Sequence, residues 1–142
     1  MIYCFIDLEG TLANTDHRQT LLQAKEYDAY EQAAPDDEPN EDVADLIDLL
    51  HMNNRQVIIL TTRKEKYRAQ TEAWLMKHKI AAQALVMRQE DEWAPEAQMK
   101  AARIKLFAET DGEEEELGFI LDDNLQVCEL LKMEGYRVWH RL

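Results

Sequence analysis

Cys4-Phe5-Ile6-Asp7-Leu8-Glu9-Gly10-Thr11 is the stretch that decides the fold, because an apolar run stops there abruptly in polar residues. Ile58-Ile59-Leu60-Thr61-Thr62-Arg63 and Phe119-Ile120-Leu121-Asp122-Asp123-Asn124 have the same form. A continuous apolar run is typical of a parallel strand buried on both faces, and ligands gather beyond the carboxyl ends of such strands. The sequence therefore predicts a parallel sheet with a polar site along one edge.

Apolar periodicity divides the chain into alternating strands and helices. Strands are predicted over 2–6, 57–60, 84–87, 118–121 and 136–140. Helices are predicted around 19–32, after a cap at Asn40, after a capping box at 62–65, from Pro95 to about residue 109, and between Asn124 and Gly135. Such alternation implies right-handed βαβ units, so residues 1–142 are expected to form a single three-layer α/β domain.

The composition of the 142-residue chain fits a globular protein with an acidic surface. Hydrophobic residues make up 46%, and the formal net charge of −13 disfavours a long nucleic-acid duplex as partner while leaving short polyanions open. The acidic patches at 36–42 and 111–116 are expected to be solvated. Cys4 and Cys128 lie in apolar segments and are expected to be reduced core thiols. No segment has the form of a membrane span or signal peptide, so no membrane partner and a cytoplasmic location are expected.

The carboxyl ends of the predicted strands bring reactive side chains to one edge of the sheet. The side chains delivered there directly are those of Asp7, Thr61, Arg88, Asp122 and Asp123. Lys100 lies in the first two turns of a helix that begins at the same edge. Taken singly, each of these residues is more often a turn residue, a helix cap or a solvated lysine. Their joint placement favours a functional site.

Carboxylates, a hydroxyl and an ammonium at one edge fit phosphoryl transfer. Asp7 and Asp122 are candidate ligands of one Mg²⁺, which prefers oxygen donors, and Asp7 is also the candidate nucleophile. Lys100 and Thr61 are suited to hold the non-bridging phosphate oxygens. Gly10 permits a tight turn that presents backbone N–H groups to the phosphoryl group.

These residues, in this order, resemble the motifs of the haloacid dehalogenase superfamily. Its first motif is Asp-x-Asp-x-Thr, followed by a strand-ending Thr or Ser, a Lys and an acidic pair. Asp7, Thr61, Lys100 and Asp122-Asp123 match these motifs across essentially the whole chain. Response-regulator receivers use a similar set, but their acidic pair comes first. The resemblance implies a Rossmann-like haloacid dehalogenase fold of about five parallel strands in the order 3-2-1-4-5, and the intervals between motifs are too short for a globular cap domain.

A closer resemblance is to the 3′-phosphatase domain of phage polynucleotide kinase and its stand-alone phage and bacterial relatives. It rests on the stretches 10–18, 34–40 and 85–88. It implies a Mg²⁺-dependent phosphatase in which Asp7 forms an aspartyl-phosphate and Glu9 acts as general acid and base. The complete set of candidate residues is phosphate-binding Gly10, Thr61, Thr62 and Lys100, substrate-binding His17, Arg18, Arg63 and Arg88, and metal-binding Asp7, Glu9, Asp122 and Asp123.

Glu9 departs from the resembled motif, which has aspartate at this position. Its side chain is longer by one methylene, and misplacing a catalytic group by about 1 Å costs roughly 10²-fold in rate. Three outcomes stay open: the loop adjusts and catalysis persists, activity is weak, or the protein binds phosphate and Mg²⁺ without turnover. Thr62 likewise replaces a glycine that is common in the second motif.

Without a globular cap, the site is expected to be open, which suits the end of a polymer. The expected substrate is a nucleic-acid 3′-phosphate end or a nucleotide, and a small-metabolite phosphatase is a further alternative. Arg18, Arg63 and Arg88 are expected to form a basic rim. Trp74, Trp93 and Trp139 are expected to be packing residues, and Trp93, in a polar loop near Arg88, is the one to test for base stacking. No kinase P-loop is present, so kinase activity is not expected of this chain. If the protein is phage-encoded, it is expected in the host cytoplasm; the oligomeric state is left open.

Overall fold

Five parallel strands form the central sheet of the computed structural model, which describes residues 1–110 and 116–142. These five are β1 (Ile2–Asp7), β4 (Arg55–Lys64), β5 (Ala84–Arg88), β6 (Glu116–Asp122) and β7 (Val138–His140), numbered with two short strands that pair with each other outside this sheet, β2 (Ala13–Asn14) and β3 (Glu38–Pro39). The order across the central sheet is β5-β4-β1-β6-β7, and every neighbouring pair is parallel. This confirms the predicted order 3-2-1-4-5, in which the five sheet strands are numbered along the chain.

Helices cover both faces of the sheet and complete three layers. In chain order they are α1 (Gln19–Gln23), α2 (Tyr27–Gln32), α3 (Glu41–Met52), α4 (Arg68–Lys77), α5 (Glu96–Thr110) and α6 (Leu125–Met133). Alternate residues of β1 point to opposite faces, so Cys4 and Ile6 pack in a core with α3 and α4, whereas Phe5 packs in a second core with α5 and α6. Within the described residues, no helix has the length and apolar character needed to cross a bilayer.

The helix predicted over 19–32 is wrong in its continuity, because two short helices, α1 and α2, occupy that segment. Lys25 lies between them with a φ of 58°. A residue with a side chain adopts this left-handed conformation at some cost, and the conformation cannot continue a right-handed helix. The helical character predicted for the segment is therefore confirmed, but in two pieces.

The capping box predicted at 62–65 is also wrong. Strand β4 continues to Lys64, a 3₁₀ turn follows at Glu65–Tyr67, and α4 begins only at Arg68. Lys64 pairs with Arg88 of β5, and this pairing extends the strand beyond its apolar run. No side-chain cap forms at Lys64, because a lysine side chain has no acceptor atom for the free N–H groups of the turn.

The two predicted asparagine caps have different outcomes. At α6 the prediction is confirmed, since the side-chain oxygen of Asn124 accepts hydrogen bonds from the backbone N–H groups of Gln126 and Val127. Asn40 precedes α3, but its side-chain amide donates to the carbonyl oxygen of Thr11 at 2.7 Å instead of capping the helix. This bond ties the start of α3 to the loop that follows β1.

The antiparallel pairing of β2 with β3 has no counterpart in the sequence predictions. It pairs Ala13 with Pro39 and Asn14 with Glu38, and so joins the two ends of the segment that carries α1 and α2. As expected, this segment is not a globular cap. Side chains of α1 and α2 instead line the same cavity as the ends of β1 and β4.

The acidic patch at 36–42 is not simply solvated, contrary to expectation. Asp37 is 1% exposed, because it forms a buried ion pair with Arg18. Asp42 does match the expectation, since it is exposed and pairs with Arg141 at the surface. Residues 111–115 of the second patch lie outside the described residues.

Both cysteines are buried free thiols, as expected. Burial raises the pKa of Cys4 above its ordinary value and raises the pKa of Cys128 to about 11. A thiol that stays protonated at neutral pH is a poor nucleophile and a poor metal ligand. Neither cysteine is therefore a candidate for the chemistry of the site.

Candidate active site

Three carboxylates meet where β1 and β6 end side by side. Asp7 is the last residue of β1, Asp122 is the last residue of β6, and Asp123 follows it. One oxygen of each carboxylate lies within 4.8 Å of the others. The strands are parallel neighbours, so their carboxyl ends share one edge of the sheet, as the sequence predicted. Asp7 and Asp122 are both buried, which removes their charges from water.

Lys100, in the second turn of α5, bridges two of these carboxylates. Its Nζ donates to Asp7 Oδ1 at 2.7 Å, to Asp122 Oδ2 at 2.7 Å and to Glu96 Oε2 at 3.0 Å. Burial by itself lowers the pKa of the Lys100 ammonium, but Asp7 and Asp122 outweigh that effect and raise it. Lys100 is therefore a permanent cation at the centre of the site.

The acidic cluster carries more negative charge than Lys100 offsets. Burial raises the pKa of Asp7 well above its ordinary value, Lys100 opposes that rise, and the neighbouring Asp122 adds to it. Carboxylate oxygens in this arrangement are the ligands that Mg²⁺ prefers, so Asp7, Asp122 and Asp123 fit the predicted metal. The Glu9 carboxylate is not a member of the cluster found among the described residues. A metal contact of Glu9 through its backbone carbonyl, which the resemblance implies, stays a prediction.

The turn after β1 fixes the position of Asp7. Thr11 Oγ1 donates to Asp7 Oδ2 at 2.9 Å, and the carbonyl oxygen of Asp7 accepts from the N–H of Leu12 at 3.3 Å. Gly10 has a φ of +83°, and a Cβ built there would lie 2.2 Å from Asp123 Oδ2. A side chain at this position would both strain the turn and displace Asp123, which explains why glycine stands there.

Glu9 is held by two arginines and a tyrosine. Its Oε1 accepts from Arg63 Nε at 2.9 Å, and its Oε2 accepts from Arg18 Nη2 at 3.3 Å and from the Tyr30 hydroxyl at 3.0 Å. Burial disfavours the Glu9 anion, but the charges of Arg63 and Arg18 outweigh burial and lower the pKa of the carboxyl. The same anion, together with burial, raises the pKa of Tyr30 to about 12, so Tyr30 stays a hydrogen-bond donor.

Arg18 supports Glu9 from a fully buried position. Its Nε and Nη2 donate to the two carboxylate oxygens of Asp37 at 2.9 and 2.8 Å, and its Nη1 donates to the carbonyl oxygen of Tyr30 at 3.1 Å. The guanidinium also lies 4.1 Å from the centre of the Tyr30 ring. These contacts and its burial make Arg18 a residue that positions Glu9, and direct contact of Arg18 with substrate stays a prediction.

Arg63 lies beside Glu9, and both residues line the cavity described below. Its Nε binds Glu9, its Nη1 donates to Thr71 Oγ1 at 3.0 Å, and its Nη2 makes no hydrogen bond to the described part of the chain. The Arg63 backbone N–H donates to Thr61 Oγ1 at 3.0 Å, which fixes the Thr61 side chain at the end of the apolar run of β4. Arg63 can therefore offer one guanidinium nitrogen to a bound anion.

A cavity of about 340 Å³ opens above the acidic cluster. Its lining residues are Asp7, Glu9, Gly10, Thr15, Gln19, Leu22, Tyr30, Glu31, Thr61, Thr62, Arg63, Glu96, Asp123 and Asn124. Seven of the candidate residues predicted from the sequence are among them. Lys100, which binds both Asp7 and Asp122, and Asp122 itself do not line the cavity. The other lining residues were not predicted as site residues from the sequence, and most of them belong to α1 and α2. The position of these helices depends on the pairing of β2 with β3, which was not predicted either.

Two predicted substrate residues lie away from this cavity. His17 Nε2 lies 2.6 Å from Asp37 Oδ1, on the far side of the Arg18–Asp37 pair from Glu9. Arg88 Nη1 donates to the backbone carbonyls of Glu92 and Ala94 at 3.0 and 2.7 Å. Arg18 is fully buried, so the structure does not bring Arg18, Arg63 and Arg88 together as the predicted basic rim, and it leaves His17 outside the cavity lining as well.

Glu31, on α2, is a cavity residue to which no sequence signal pointed. Its Oε2 is buried without a hydrogen-bond partner among the described residues and lies 3.8 Å from Arg63 Nε. Burial, followed by the charge of Glu9, raises the pKa of Glu31 to about 6. Glu9 and Glu31 are thus neighbouring carboxyl groups whose pKa values are shifted in opposite directions.

Replacing Glu31 by glutamine is expected to stabilise the protein by about 1–2 kcal/mol at pH 8 and by much less at pH 5. The folded state holds the Glu31 proton up to about pH 6, whereas the unfolded chain releases it near 4.5, so the cost of Glu31 appears as pH rises through this window. Glutamine is neutral throughout and removes that cost. Urea unfolding at both pH values measures the difference, with the exposed Glu38→Gln as control; an equal gain at both pH values would contradict the assignment.

The fold and the placement of Asp7, Thr61, Lys100 and the Asp122–Asp123 pair define a protein of the haloacid dehalogenase superfamily. The family model of the polynucleotide kinase PNKP phosphatase domain matches residues 3–140 of this sequence. The chain therefore belongs to that family of phosphatase domains. This confirms the resemblance predicted from the sequence. Among proteins with curated functions, none matches the chain.

Two similar solved structures are those of the Pnkp1/Rnl/Hen1 RNA repair complex and of a Pnkp1/Rnl/Hen1 complex. Each contains a chain with 26% sequence identity that aligns with 99% of this protein, with TM-scores of 0.81 and 0.80. This protein covers only 42% and 45% of those chains, so it spans less than half of their length. The HAD domain of the Legionella pneumophila effector Lem4 shares the fold at 14% identity and a TM-score of 0.52, over 98% of this protein and 84% of that chain.

Proposed function

We propose that this protein is a Mg²⁺-dependent phosphomonoesterase that acts through an aspartyl-phosphate on Asp7, with nucleic-acid 3′-phosphate ends or nucleotides as substrates. The observation that carries the proposal is the position of Asp7, whose carboxylate borders the 340 Å³ cavity while Lys100 and Thr11 hold it in place. Membership of the PNKP phosphatase family supports the same class of reaction.

Asp7 and Glu9 divide the chemistry of the proposed reaction. In the first step a carboxylate oxygen of Asp7 bonds to phosphorus, the ester P–O bond breaks, and Glu9 gives a proton to the leaving alcohol oxygen. In the second step Glu9 takes a proton from water, the water oxygen attacks phosphorus, and the bond to Asp7 breaks to release inorganic phosphate. Thr61 and Arg63 border the cavity and are suited to hold the non-bridging oxygens through both steps. Lys100, whose three N–H groups bind Asp7, Asp122 and Glu96, adds positive charge beside them.

The contacts of Glu9 favour its role in the second step. In the free protein Arg63 and Arg18 lower its pKa, so Glu9 is ionised and ready to accept a proton. To donate a proton in the first step it must first acquire one. A substrate phosphate that draws Arg63 towards itself weakens the stabilisation of the Glu9 anion and lets its pKa rise. Protonation of Glu9 is thereby coupled to substrate binding.

The metal would be held by Asp7, Asp122 and Asp123, together with the backbone carbonyl of Glu9. Lys100 contacts one oxygen of Asp7 and one of Asp122. The second oxygen accepts one hydrogen bond, from Thr11 Oγ1 in Asp7 and from the Asn124 N–H in Asp122, and keeps a lone pair for a cation. Bound Mg²⁺ supplies positive charge that keeps Asp7 ionised and offsets the charge of the incoming phosphate.

A second candidate function is a module that binds phosphate and Mg²⁺ without turnover. The observation that favours it is the strength of the Glu9 contacts, because an anion fixed by two arginines is a poor proton donor. Such a module hydrolyses neither alkyl nor aryl phosphates. A protein impaired only as a proton donor would lose alkyl phosphates, whose leaving oxygen needs a proton, and keep aryl phosphates, whose leaving oxygen departs as a stable anion.

A panel of phosphate esters tests the proposed function. The substrates are 4-nitrophenyl phosphate, 3′-phosphorylated oligonucleotides, nucleoside 3′- and 5′-monophosphates and sugar phosphates, each with Mg²⁺ and with EDTA. RNA ends belong in the panel because similar Pnkp1 chains occur in an RNA repair complex. We expect Mg²⁺-dependent release of phosphate, highest for 3′-phosphorylated nucleic acid. Strong preference for a sugar phosphate would refute the substrate assignment, and phosphate binding without any hydrolysis would establish the second candidate.

A further inference from the structure

A second cavity, of about 370 Å³, adjoins the candidate active site. Its lining residues are Tyr27, Asp28, Glu31, Thr62, Lys64, Lys66, Tyr67 and Arg88, and we call it the lysine groove. Thr62 and Glu31 line both this groove and the active-site cavity, so the two lie side by side at those residues. The lysine groove is therefore within reach of a chain that leaves the active site past Thr62.

The lysine groove gathers cations that the protein leaves available. Within residues 1–110 and 116–142, neither Lys64 nor Lys66 has a carboxylate within ion-pair distance of its ammonium, and Arg88 binds only backbone carbonyls. By contrast Arg68, next to them in the chain, is neutralised by Glu65 at 2.7 Å. On a chain of net charge −13, such a site attracts an anion locally.

The acidic residues of the groove do not cancel this charge. Asp28 and Glu31 are its two carboxylic acids, against three basic side chains. Burial and Glu9 raise the pKa of Glu31 to about 6, so its negative charge is easily lost when a phosphate binds beside it. The groove is therefore net positive, whereas the protein as a whole is strongly negative.

Exposed aromatic rings border the same groove. Trp93 is 80% exposed, and the ammonium of Lys64 lies 5.8 Å from the centre of its ring. Tyr27, in the lining of the groove, is 58% exposed. Exposed rings beside cations are the combination that binds single-stranded nucleic acid, because bases stack on the rings while the cations contact phosphates.

The loop that carries Trp93 is held in place on both sides of it. Arg88 Nη1 donates to the carbonyls of Glu92 and Ala94, the two neighbours of Trp93. The Glu92 carboxylate is in turn bound by Arg103 Nη2 at 2.7 Å. A ring presented from a fixed loop loses little freedom on binding, which favours stacking. Arg88, predicted to contact substrate, is thus placed to position Trp93.

We propose that the lysine groove binds the nucleotides on the 5′ side of the phosphorylated terminal nucleotide of a single strand. Lys64 and Lys66 contact the internucleotide phosphates, and Trp93 stacks on a base. The groove proposal depends on the proposed function at one point, because it requires the 3′-phosphate to occupy the active-site cavity. A duplex does not suit the groove, because stacking on Trp93 requires a base free of its neighbours.

The test compares 3′-phosphorylated mononucleotide and tetranucleotide, in DNA and RNA form, as substrates of three proteins. For the wild type we expect kcat/KM to be at least about tenfold higher for the tetranucleotide. In Lys64→Ala/Lys66→Ala this ratio is expected to fall close to one. The matched control, Lys77→Ala/Lys132→Ala, removes two exposed lysines that do not line the groove and should keep the wild-type ratio. A ratio near one in the wild type, or an equal loss in the control, overturns the proposal.

Trp93 variants separate stacking from a purely structural effect. We expect Trp93→Ala to reduce the length preference severalfold and Trp93→Phe to restore most of it, because phenylalanine keeps a ring for stacking. An unchanged length preference in Trp93→Ala would show that the ring takes no part.

A binding measurement keeps the groove testable if the protein proves inactive. When 4-nitrophenyl phosphate is not hydrolysed, the proposed function fails, but equilibrium binding of the tetranucleotide still reports on the groove. Binding by the wild type and the control that is lost in Lys64→Ala/Lys66→Ala supports the groove without catalysis. Absence of binding by the wild type overturns it.

Discussion

Replacing Asp7 by asparagine is expected to lower the Mg²⁺-dependent hydrolysis of 4-nitrophenyl phosphate by at least about 10⁴-fold, because the amide cannot attack phosphorus. The shape of the side chain is kept. Burial disfavours a charge at this position, so the neutral asparagine is expected to leave the folded state intact. Lys100 retains Asp122 and Glu96 as partners in the variant.

The matched control for this variant is Asp48→Asn, at an exposed position on α3. It removes the same charge and should keep wild-type turnover. Thermal unfolding of all three proteins shows whether they are folded to the same extent. Retention of more than about a hundredth of the activity by folded Asp7→Asn would contradict the assignment of Asp7 as nucleophile.

Replacing Glu9 by glutamine is expected to lower the turnover of a 3′-phosphorylated oligonucleotide by about 10²–10⁴-fold, because glutamine can neither give nor take a proton. Replacing it by aspartate is expected to cost roughly 10²-fold. The reason is geometric: the carboxylate reaches Arg63 Nε at 2.9 Å and Tyr30 at 3.0 Å with the length of a glutamate, and aspartate falls short by one methylene.

Both variants are measured on the oligonucleotide and on 4-nitrophenyl phosphate. Loss of general acid action slows hydrolysis of the oligonucleotide more than that of 4-nitrophenyl phosphate, because nitrophenolate leaves without a proton. Loss of general base action slows hydrolysis of both substrates. A gain of activity in Glu9→Asp over an inactive wild type would mean that the natural protein is not the phosphatase proposed here.

The residues that could be predicted from sequence are those whose neighbours are set by the sheet. Asp7, Thr61 and Asp122 end apolar runs, and parallel pairing of β1 with β4 and β6 brings such ends together without further information. Lys100 follows from the same geometry, because its helix begins at that edge. Local patterns also sufficed for the Asn124 cap, where donor and acceptor are two or three residues apart.

What escaped prediction depends on contacts between distant residues. The pair Arg18–Asp37 joins residues 19 apart. The pairing of β2 with β3, together with the hydrogen bond from Trp74 Nε1 to the Asp37 carbonyl, holds the segment with α2 beside Glu9. A two-residue strand containing Pro39 carries no periodicity to detect. The wrong capping box at 62–65 has a similar origin, since pairing of Lys64 with Arg88 keeps the chain extended where the local pattern favours a helix.

The covalent intermediate on Asp7 is the central claim, and the Glu9→Gln variant tests it most directly. With 4-nitrophenyl phosphate the first step needs no proton, whereas release of phosphate from Asp7 needs the missing base, so the intermediate should accumulate. The measurement is acid quenching after mixing with Mg²⁺ and substrate, followed by mass spectrometry of the peptides. We predict a burst of one nitrophenolate per protein and one phosphoryl group on the peptide that contains Asp7. Nitrophenolate release without a phosphorylated Asp7, or a phosphoryl group on another residue, would contradict the account.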